Sequence, residues 1–384
     1  MAEAPLRLLV IGNLPPHVLG GAENQVARLV EAWCAAGIKV EVAGHRIPKG
    51  EQVLGTARVR THRIHTWTMG GRTGRALSYL LSLTRLVLRR RRDFDAVYCR
   101  GMGDGLVGVC ILATIGVCPW PIIAVPINAR GNGDAAFLRS IPGWRLWVRL
   151  LDRRISAINL INADIAEDLD ALGLLNAPRS IIPNGISVQA PVLRKSVAPA
   201  RRLLWTGRFE YQKGLDLLLP VLARFRSGRA RFHVDLVGEG VLRSVLEQQM
   251  RALGLQDVVR FLGAVEAKHV RELLIGVDVF LLPSRYEGMS NAALEAMEAG
   301  LPVLCTRCGG IDAVVAEGAG WVCEPDDEAS LAACFDAMLM ATDDEILARG
   351  RLARNIVERR FRIEQVATAN LELIRGVMRG VESR

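Results

Sequence analysis

Short apolar runs alternate with longer amphipathic stretches along the whole chain. A run of four to eight apolar residues bounded by turn residues suits a buried strand, and apolar positions three and four apart suit a helix. In the first half this pattern predicts strands at Leu6–Ile11, Lys39–Ala43, Val59–His65, Ala96–Cys99, Ile122–Pro126, Ala157–Ile161 and Ser180–Ile182. Helices fall between them at Ala22–Ala36, Gly74–Arg90, Asp104–Ile115, Pro142–Arg154 and Asp164–Leu172. Pro183-Asn184-Gly185 is a strong turn that closes this half, and the polar, basic residues 186–201 read as a linker. The alternation then restarts, with strands at Leu203–Thr206, His233–Val237, Val259–Leu262, Val279–Leu282, Val303–Cys305 and Gly320–Cys323, and three helical segments end the chain. Strands alternating with helices build parallel sheets covered on both faces. The expected fold class is therefore α/β, two doubly wound parallel-sheet, Rossmann-like domains facing a cleft, with ligands at the carboxyl ends of the strands.

Composition changes this picture little. A chain of 384 residues, half of them apolar, suffices for two domains with separate cores. The apolar stretch from Gly105 to Ile127 is interrupted by Pro119 and Pro121, so it reads as a buried helix and strand and not as a membrane span. No secretory signal is visible, because the apolar run Leu6–Ile11 is too short. The eight cysteines mostly sit in apolar runs, as reduced buried thiols do, which points to a cytoplasmic protein. Cys305 and Cys308 form a CxxC without a second pair or a histidine partner, so no metal is expected there. Charge is more telling. Residues 1–185 hold 23 Lys/Arg against 14 Asp/Glu, so the whole formal excess of +9 lies in the first half. Such a half suits an anionic partner or an anionic membrane surface. Two of its helices are basic as well as amphipathic: Gly74–Arg92, and Pro142–Arg154 with Trp144, Trp147, Arg145, Arg149, Arg153 and Arg154. Such helices can lie on anionic lipid, or can be core helices with a solvated basic face. Charge alone gives no nucleic-acid reading, since no binding motif accompanies it.

Candidate chemistry lies in loops that follow strands. Arg208 and Lys213 stand in a loop bounded by Gly207 and Gly214. Two fixed cations can stabilise the charge that develops on a departing diphosphate, although a solvated loop is the plainer reading. Seven residues separate Glu287 from Glu295, in a segment where Ser290-Asn291 looks like a helix start. Backbone amides at such a start can face phosphate, and a carboxylate suits the hydroxyls of a ribose. Alternatively both are ordinary helix-terminus carboxylates. Gly20-Gly21-Ala22-Glu23 opens a helix after the first strand, and Val237-Gly238-Glu239-Gly240 is either a nucleotide-facing turn or merely a turn. Neither matches a dinucleotide fingerprint or a phosphate loop with its lysine.

These pieces, together with Pro183-Asn184-Gly185 and Gly309-Gly310, resemble in order and spacing the retaining glycosyltransferases of family 4 (group 1), which have the GT-B fold. The resemblance covers nearly the full chain. It implies a nucleoside-diphosphate-sugar donor (UDP or GDP), a hexose-type sugar, retention at the anomeric carbon, and no metal or other cofactor. It implies a catalytic set of Arg208, Lys213 and Glu287, with the two cations on the diphosphate and Glu287 near the donor sugar. Glu295 would take the ribose, and Gly20, Gly21, Gly207, Gly238, Gly288, Met289, Ser290 and Asn291 would line the nucleotide-sugar site. The implied organisation is an acceptor-binding domain at 1–185, a linker at 186–201, a nucleotide-sugar-binding domain at 202–362, and a last helix at 363–384 that crosses back to the first domain. One departure stands out. A histidine often follows the fifth strand in this family, and here the segment reads Asn128-Ala129-Arg130-Gly131. Asn128 and Arg130 are candidate sugar or acceptor contacts in its place, and His17, near the Gly20 loop, is a third. The implied function is hexosyl transfer to a glycan or lipid-linked acceptor, in the cytoplasm or peripherally on the inner face of the membrane. The rival readings are a GT-B nucleotide-sugar epimerase and a degenerate, non-catalytic partner protein.

Overall fold

The computed structural model of the chain describes residues 5–18, 20–128, 133–191, 196–198, 200–226, 228 and 231–382. Internal contacts divide the chain into two units, Met1–Ser187 with Ile363–Arg384, and Val188–Arg362.

The first unit runs β1 (Arg7–Ile11), α1 (Gly21–Ala35), β2 (Lys39–Gly44), β3 (Gly50–Leu54), β4 (Ala57–Arg63), α2 (Gly71–Arg90), β5 (Ala96–Arg100), α3 (Asp104–Thr114), β6 (Ile122–Val125), α4 (Asp134–Arg139), α5 (Trp144–Arg154), β7 (Ala157–Leu160), α6 (Ile165–Leu172) and β8 (Arg179–Ile181). Among the described residues its eight strands lie in the order β3-β4-β2-β1-β5-β6-β7-β8. Strands β6 and β7 are buried at every position, which is why they read as unbroken apolar runs and not as alternation. The sheet departs from the all-parallel expectation at one edge, where β3 pairs antiparallel with β4. Sequence pattern misses β3 because Gly50-Glu51-Gln52-Val53-Leu54 is a polar, mostly exposed edge strand with no apolar face to detect.

The second unit runs β9 (Arg201–Thr206), α7 (Leu215–Phe225), β10 (Phe232–Val237), α8 (Arg243–Ala252), β11 (Val259–Gly263), α9 (Ala267–Ile275), β12 (Val279–Leu282), α10 (Asn291–Glu298), β13 (Val303–Thr306), α11 (Ile311–Val314), β14 (Gly320–Cys323), α12 (Glu328–Met340) and α13 (Asp343–Arg360). Among the described residues all six strands are parallel, in the order β11-β10-β9-β12-β13-β14. The core beneath β9 centres on Trp205 and Phe209, stacked with centroids 5.3 Å apart.

The last helix, α14 (Ile363–Glu382), belongs to the first unit. Apolar packing alone would let such a helix slide. Here buried polar groups fix its register. Asn370 Oδ1 accepts from Tyr98 Oη at 3.1 Å and from Asn159 Nδ2 at 3.0 Å, and Trp33 Nε1 donates to the Ala367 carbonyl at 3.0 Å. Left unpaired by a shift, such groups cost about 1–3 kcal/mol each.

Strand order also locates the crevices. In the second unit the sequence runs outward from β9 through β10 to β11 on one side, and from β12 through β14 on the other. In the first unit the corresponding neighbours are β1 and β5. Loops leaving such neighbours diverge to opposite faces, which opens a crevice at their carboxyl ends.

Candidate active site

The loops after β9 and β12 meet at the second unit's crevice. After β9 the chain turns through Gly207–Glu210, makes a single helical turn at Tyr211–Lys213, and enters α7 through Gly214. Gly214 has φ +65°, and a Cβ there would lie 2.0 Å from the Pro283 carbonyl oxygen. The two loops therefore approach more closely than any side chain at this position permits. One backbone and one side-chain hydrogen bond join them: Arg285 N–H donates to the Gln212 carbonyl at 2.8 Å, and Gln212 Nε2 donates to the Tyr286 carbonyl at 2.8 Å. Lys213 Nζ lies 2.5 Å from Glu287 Oε1, which also accepts from Ser284 Oγ at 2.9 Å. Both side chains are largely buried, at 17% and 9% exposure. A charge held there is screened little by water, and removing one partner strands the other. The Glu287 amide is anchored in turn to the Cys308 carbonyl at 2.6 Å.

Arg285, which carries no motif signal, organises the surroundings. It is 7% exposed and forms a two-pronged ion pair with Asp216, each contact 2.8 Å. It also donates to Asp326 and to the Tyr211 carbonyl, each at 2.6 Å, and its guanidinium lies 3.7 Å from the Tyr211 ring centroid. Its pKa is raised, chiefly by the hydrogen bonds it donates to Asp216. One cation thus ties α7, the Tyr211 turn and the loop after β14 to the loop that carries Glu287.

The other residues singled out by sequence take different places. Arg208 is 60% exposed and pairs with Glu210 at 2.8 Å, so it stands at the surface and apart from the Lys213–Glu287 pair's burial. Ser290 is the N-cap of α10, accepting from Ala293 N–H at 3.3 Å, and Asn291 opens the helix. Gly288 and Met289 precede the cap, and Glu295 lies half-buried within α10. Gly238 has φ +141°, and a Cβ there would fall 1.8 Å from the Gly207 carbonyl oxygen. Close packing of the two turns therefore accounts for this glycine without any ligand. In the first unit Gly20 and Gly21 are the N-cap and first residue of α1. His17 is exposed and bonds Gln52 of β3 at 3.2 Å. Asn128 is half-buried beside Gly133, while Arg130 lies outside the described residues. Cys305 and Cys308 are fully buried, and burial pushes both thiols up.

A second polar hollow, missed by the sequence reading, lies at the first unit's crevice. It has about 150 Å³ of free space at the carboxyl ends of β1, β2 and β5, and Asn13, His45, Tyr79, Arg100 and Asp104 contribute to its lining. Burial holds the His45 pKa below its ordinary value, and the nearby Arg46 and Arg75 charges add to this. Arg100 donates to Asn184 Oδ1 at 2.7 Å, and among the described residues its Nε finds no hydrogen-bond partner. Asp134 supports the rim from behind. Its oxygens accept from Met102 N–H at 2.7 Å and Ile127 N–H at 2.6 Å, joining the loops after β5 and β6. These residues are scattered singly through the sequence, so no spacing betrays them.

Comparison with known proteins places this architecture. The family described as "Glycosyl transferases group 1" matches residues 200–341, and "Glycosyl transferase 4-like domain" matches residues 20–185. The glycogen synthase of Mycobacterium tuberculosis is 30% identical, over 97% of this chain and 95% of its own length. The lipopolysaccharide core biosynthesis mannosyltransferase LpsB of Rhizobium meliloti is 27% identical over 61% of this chain and 69% of its own. Among solved structures, Anabaena HepE in complex with UDP and glucose superposes with a TM-score of 0.75, at 18% identity, over 97% of this chain and all of that one. Sucrose-phosphate synthase from Thermosynechococcus elongatus superposes at 0.79, also at 18% identity, over 98% of this chain. With two parallel α/β units, polar crevices at both switch points and these likenesses, the chain belongs to the group 1, family 4-like glycosyltransferases of the GT-B fold.

Proposed function

We propose that the chain is a retaining hexosyltransferase, moving a hexose-type sugar from a nucleoside-diphosphate sugar to a glycan or lipid-linked acceptor, without a bound metal. The observation that carries this reading is the buried Lys213–Glu287 pair in the crevice between β9 and β12. A cation fixed there is preorganised for the charge that grows on a departing diphosphate. In the resting protein Glu287 neutralises it; an arriving diphosphate supplies a second anionic partner. Arg208, exposed and paired with nearby Glu210, turns from the rim onto the same group. Glu287 faces the donor sugar, Glu295 takes the ribose hydroxyls, and the start of α10 faces phosphate. The uridine nucleotide and glucose held by HepE, and the glycogen synthase and mannosyltransferase names of the relatives, support a hexose on a nucleotide.

In the reaction the bond from the anomeric carbon to the diphosphate oxygen breaks, and a bond to the acceptor oxygen forms on the same face. The acceptor's proton passes to the departing phosphate oxygen, so no protein base is needed. The hollow lined by Asn13, His45, Arg100 and Asp104 supplies hydrogen-bonding groups for acceptor hydroxyls. A histidine held below its ordinary pKa stays neutral near pH 7, and its ring can both donate and accept. The basic face of α5 meets an anionic membrane on its cytoplasmic side. No helix among the described residues is long and apolar enough to cross a membrane, so attachment would be peripheral.

The test is product stereochemistry. Incubation with a panel of UDP- and GDP-hexoses in chelator, followed by NMR of the glycoside, is expected to give a product with the donor's anomeric configuration. An inverted product, or an epimerised donor formed without acceptor, contradicts the proposal.

A further inference from the structure

Helix α2 is apolar on two opposite sides. Tyr79, Leu83 and Val87 face the core. Leu77, Leu81 and Leu88 are each about half exposed, at 50%, 54% and 51%. At about 100° per residue these three fall within a narrow stripe on the side away from the core-facing residues. Helices that pack on a sheet by one face ordinarily carry polar residues on the other. Two further apolar side chains are exposed just before the helix. Trp67 is 56% exposed and Met69 is 83% exposed, in the segment leading into the helix. That segment is strapped along α2, because Trp67 N–H donates to Ser78 Oγ at 2.8 Å and His65 N–H to Ser82 Oγ at 3.0 Å. The backbone that carries the exposed indole is thereby held beside the helix.

Charge decides what covers this face. Between His65 and Arg92 there are seven arginines and no acidic residue. Arg85 and Arg89 are exposed and border the leucine stripe. A symmetric pair of copies would set this face against itself, arginine against arginine. An anionic bilayer instead offers hydrocarbon to the leucines and the indole, and phosphates to the arginines around them. Arginine stems can lie along the apolar surface while the guanidinium reaches the headgroups.

We propose that the outer face of α2, with Leu77, Leu81, Leu88 and Trp67, is a lipid-inserting surface that docks the first unit on an anionic membrane. This extends the membrane reading given for the arginines of α5, and it makes a different prediction. A surface held by charge alone detaches in salt, whereas an inserted apolar stripe retains part of its binding.

The experiment is co-sedimentation of the full chain with phosphatidylcholine vesicles, with and without phosphatidylglycerol, at low and high salt. The wild type is expected to bind the anionic vesicles and to keep a measurable fraction of that binding in high salt. Leu77→Ser, Leu81→Ser and Leu88→Ser together should weaken binding by about tenfold or more, since each removes buried apolar area. Hydrolysis of a soluble donor and the melting temperature should be unchanged. Leu81→Trp, which adds apolar area without opening the fold, should tighten binding. The parallel arm replaces Arg145, Arg149, Arg153 and Arg154 of α5 with glutamine. If that variant loses all binding while the leucine variants bind as the wild type does, α5 is the contact and the proposal is wrong. Failure of the wild type to bind either vesicle also overturns it. So does a wild-type dimer that the leucine variants convert to monomer, because a second copy would then own the stripe. Donor turnover is read in the same samples, so failure of the transferase reading is seen separately.

Discussion

The two crevices are built by opposite means. In the second unit the loops after β9 and β12 are drawn together until a glycine Cβ would strike the opposing carbonyl, and their charges are already paired, Lys213 with Glu287 and Arg285 with Asp216 and Asp326. In the first unit the loops after β1, β2 and β5 stand apart around about 150 Å³ of free space, lined by His45, Asn13 and a half-buried Arg100 whose buried Nε lacks a hydrogen-bond partner among the described residues. Under the proposed function the contrast follows from what each ligand would demand. A diphosphate carries concentrated charge, and fixed countercharges answer it only if their own desolvation is already met in the resting state. Hydroxyl groups ask for shape and for hydrogen-bond donors and acceptors, which an open hollow can supply.

The sharpest way to break the comparison is at Lys213. Lys213→Ala should depress turnover by about two to three orders of magnitude, roughly 3–4 kcal/mol of transition-state stabilisation. Because the variant strands Glu287, the assay belongs well below its melting temperature, with folding checked by circular dichroism. Unchanged kinetics would remove the charge-clamp account of the second crevice.

Arg285 tests the claim that this crevice is held from behind. Arg285→Met keeps the apolar stem but leaves Asp216 and Asp326 without their partner. A loss of about 2 kcal/mol is expected, because both carboxylates are partly exposed and regain water. Thermal melting in the absence of nucleotide should fall by about 4–8 °C. A variant as stable as the wild type would mean that backbone bonds alone hold the loops.

At the first crevice the effects should be smaller and fall on the acceptor. Arg100→Gln should raise the acceptor KM by about tenfold, the order of one charge-assisted hydrogen bond, while leaving hydrolysis of donor alone intact. An equal loss in both assays would place Arg100 in general stability. The smallest effect concerns pH. Burial lowers the His45 pKa in the folded protein, so the unfolded chain binds more protons between that value and about 6.5. The neutral ring therefore contributes its full stability above about pH 6.5, and that stability is lost as pH falls through the folded pKa. Comparing wild type with His45→Asn in urea melts from neutral to mildly acid pH should show the wild type losing more. Parallel curves would contradict a half-buried, neutral His45.

Much of the second crevice was legible in the sequence, because its residues come in two contiguous loops that each follow an apolar strand. Glu287, Lys213 and the glycines beside them announce themselves by spacing. Arg285 sits inside the same segment, yet nothing local distinguishes a clamp from a surface arginine; its partners lie 69 and 41 residues away. The first crevice is assembled from single residues after three different strands, so only the strand order brings His45, Arg100 and Asp104 together. The β3 edge strand escaped for the opposite reason, having no apolar face to leave a period in the sequence. The amphipathic pattern marked α2 as a helix but could not say which leucines the fold leaves uncovered. Leu83 is buried whereas Leu81 is half exposed, and only packing makes that difference.

The central claim is that the pre-paired Lys213 receives the donor's diphosphate. Isothermal titration of UDP and of GDP into wild type and Lys213→Ala, in chelator, tests it most directly. The account predicts that at least one nucleotide binds the wild type without metal, and that Lys213→Ala weakens that binding by about ten- to a hundredfold, as loss of a charged hydrogen bond requires. Equal affinity in both proteins, or wild-type binding only after magnesium is added, would contradict it.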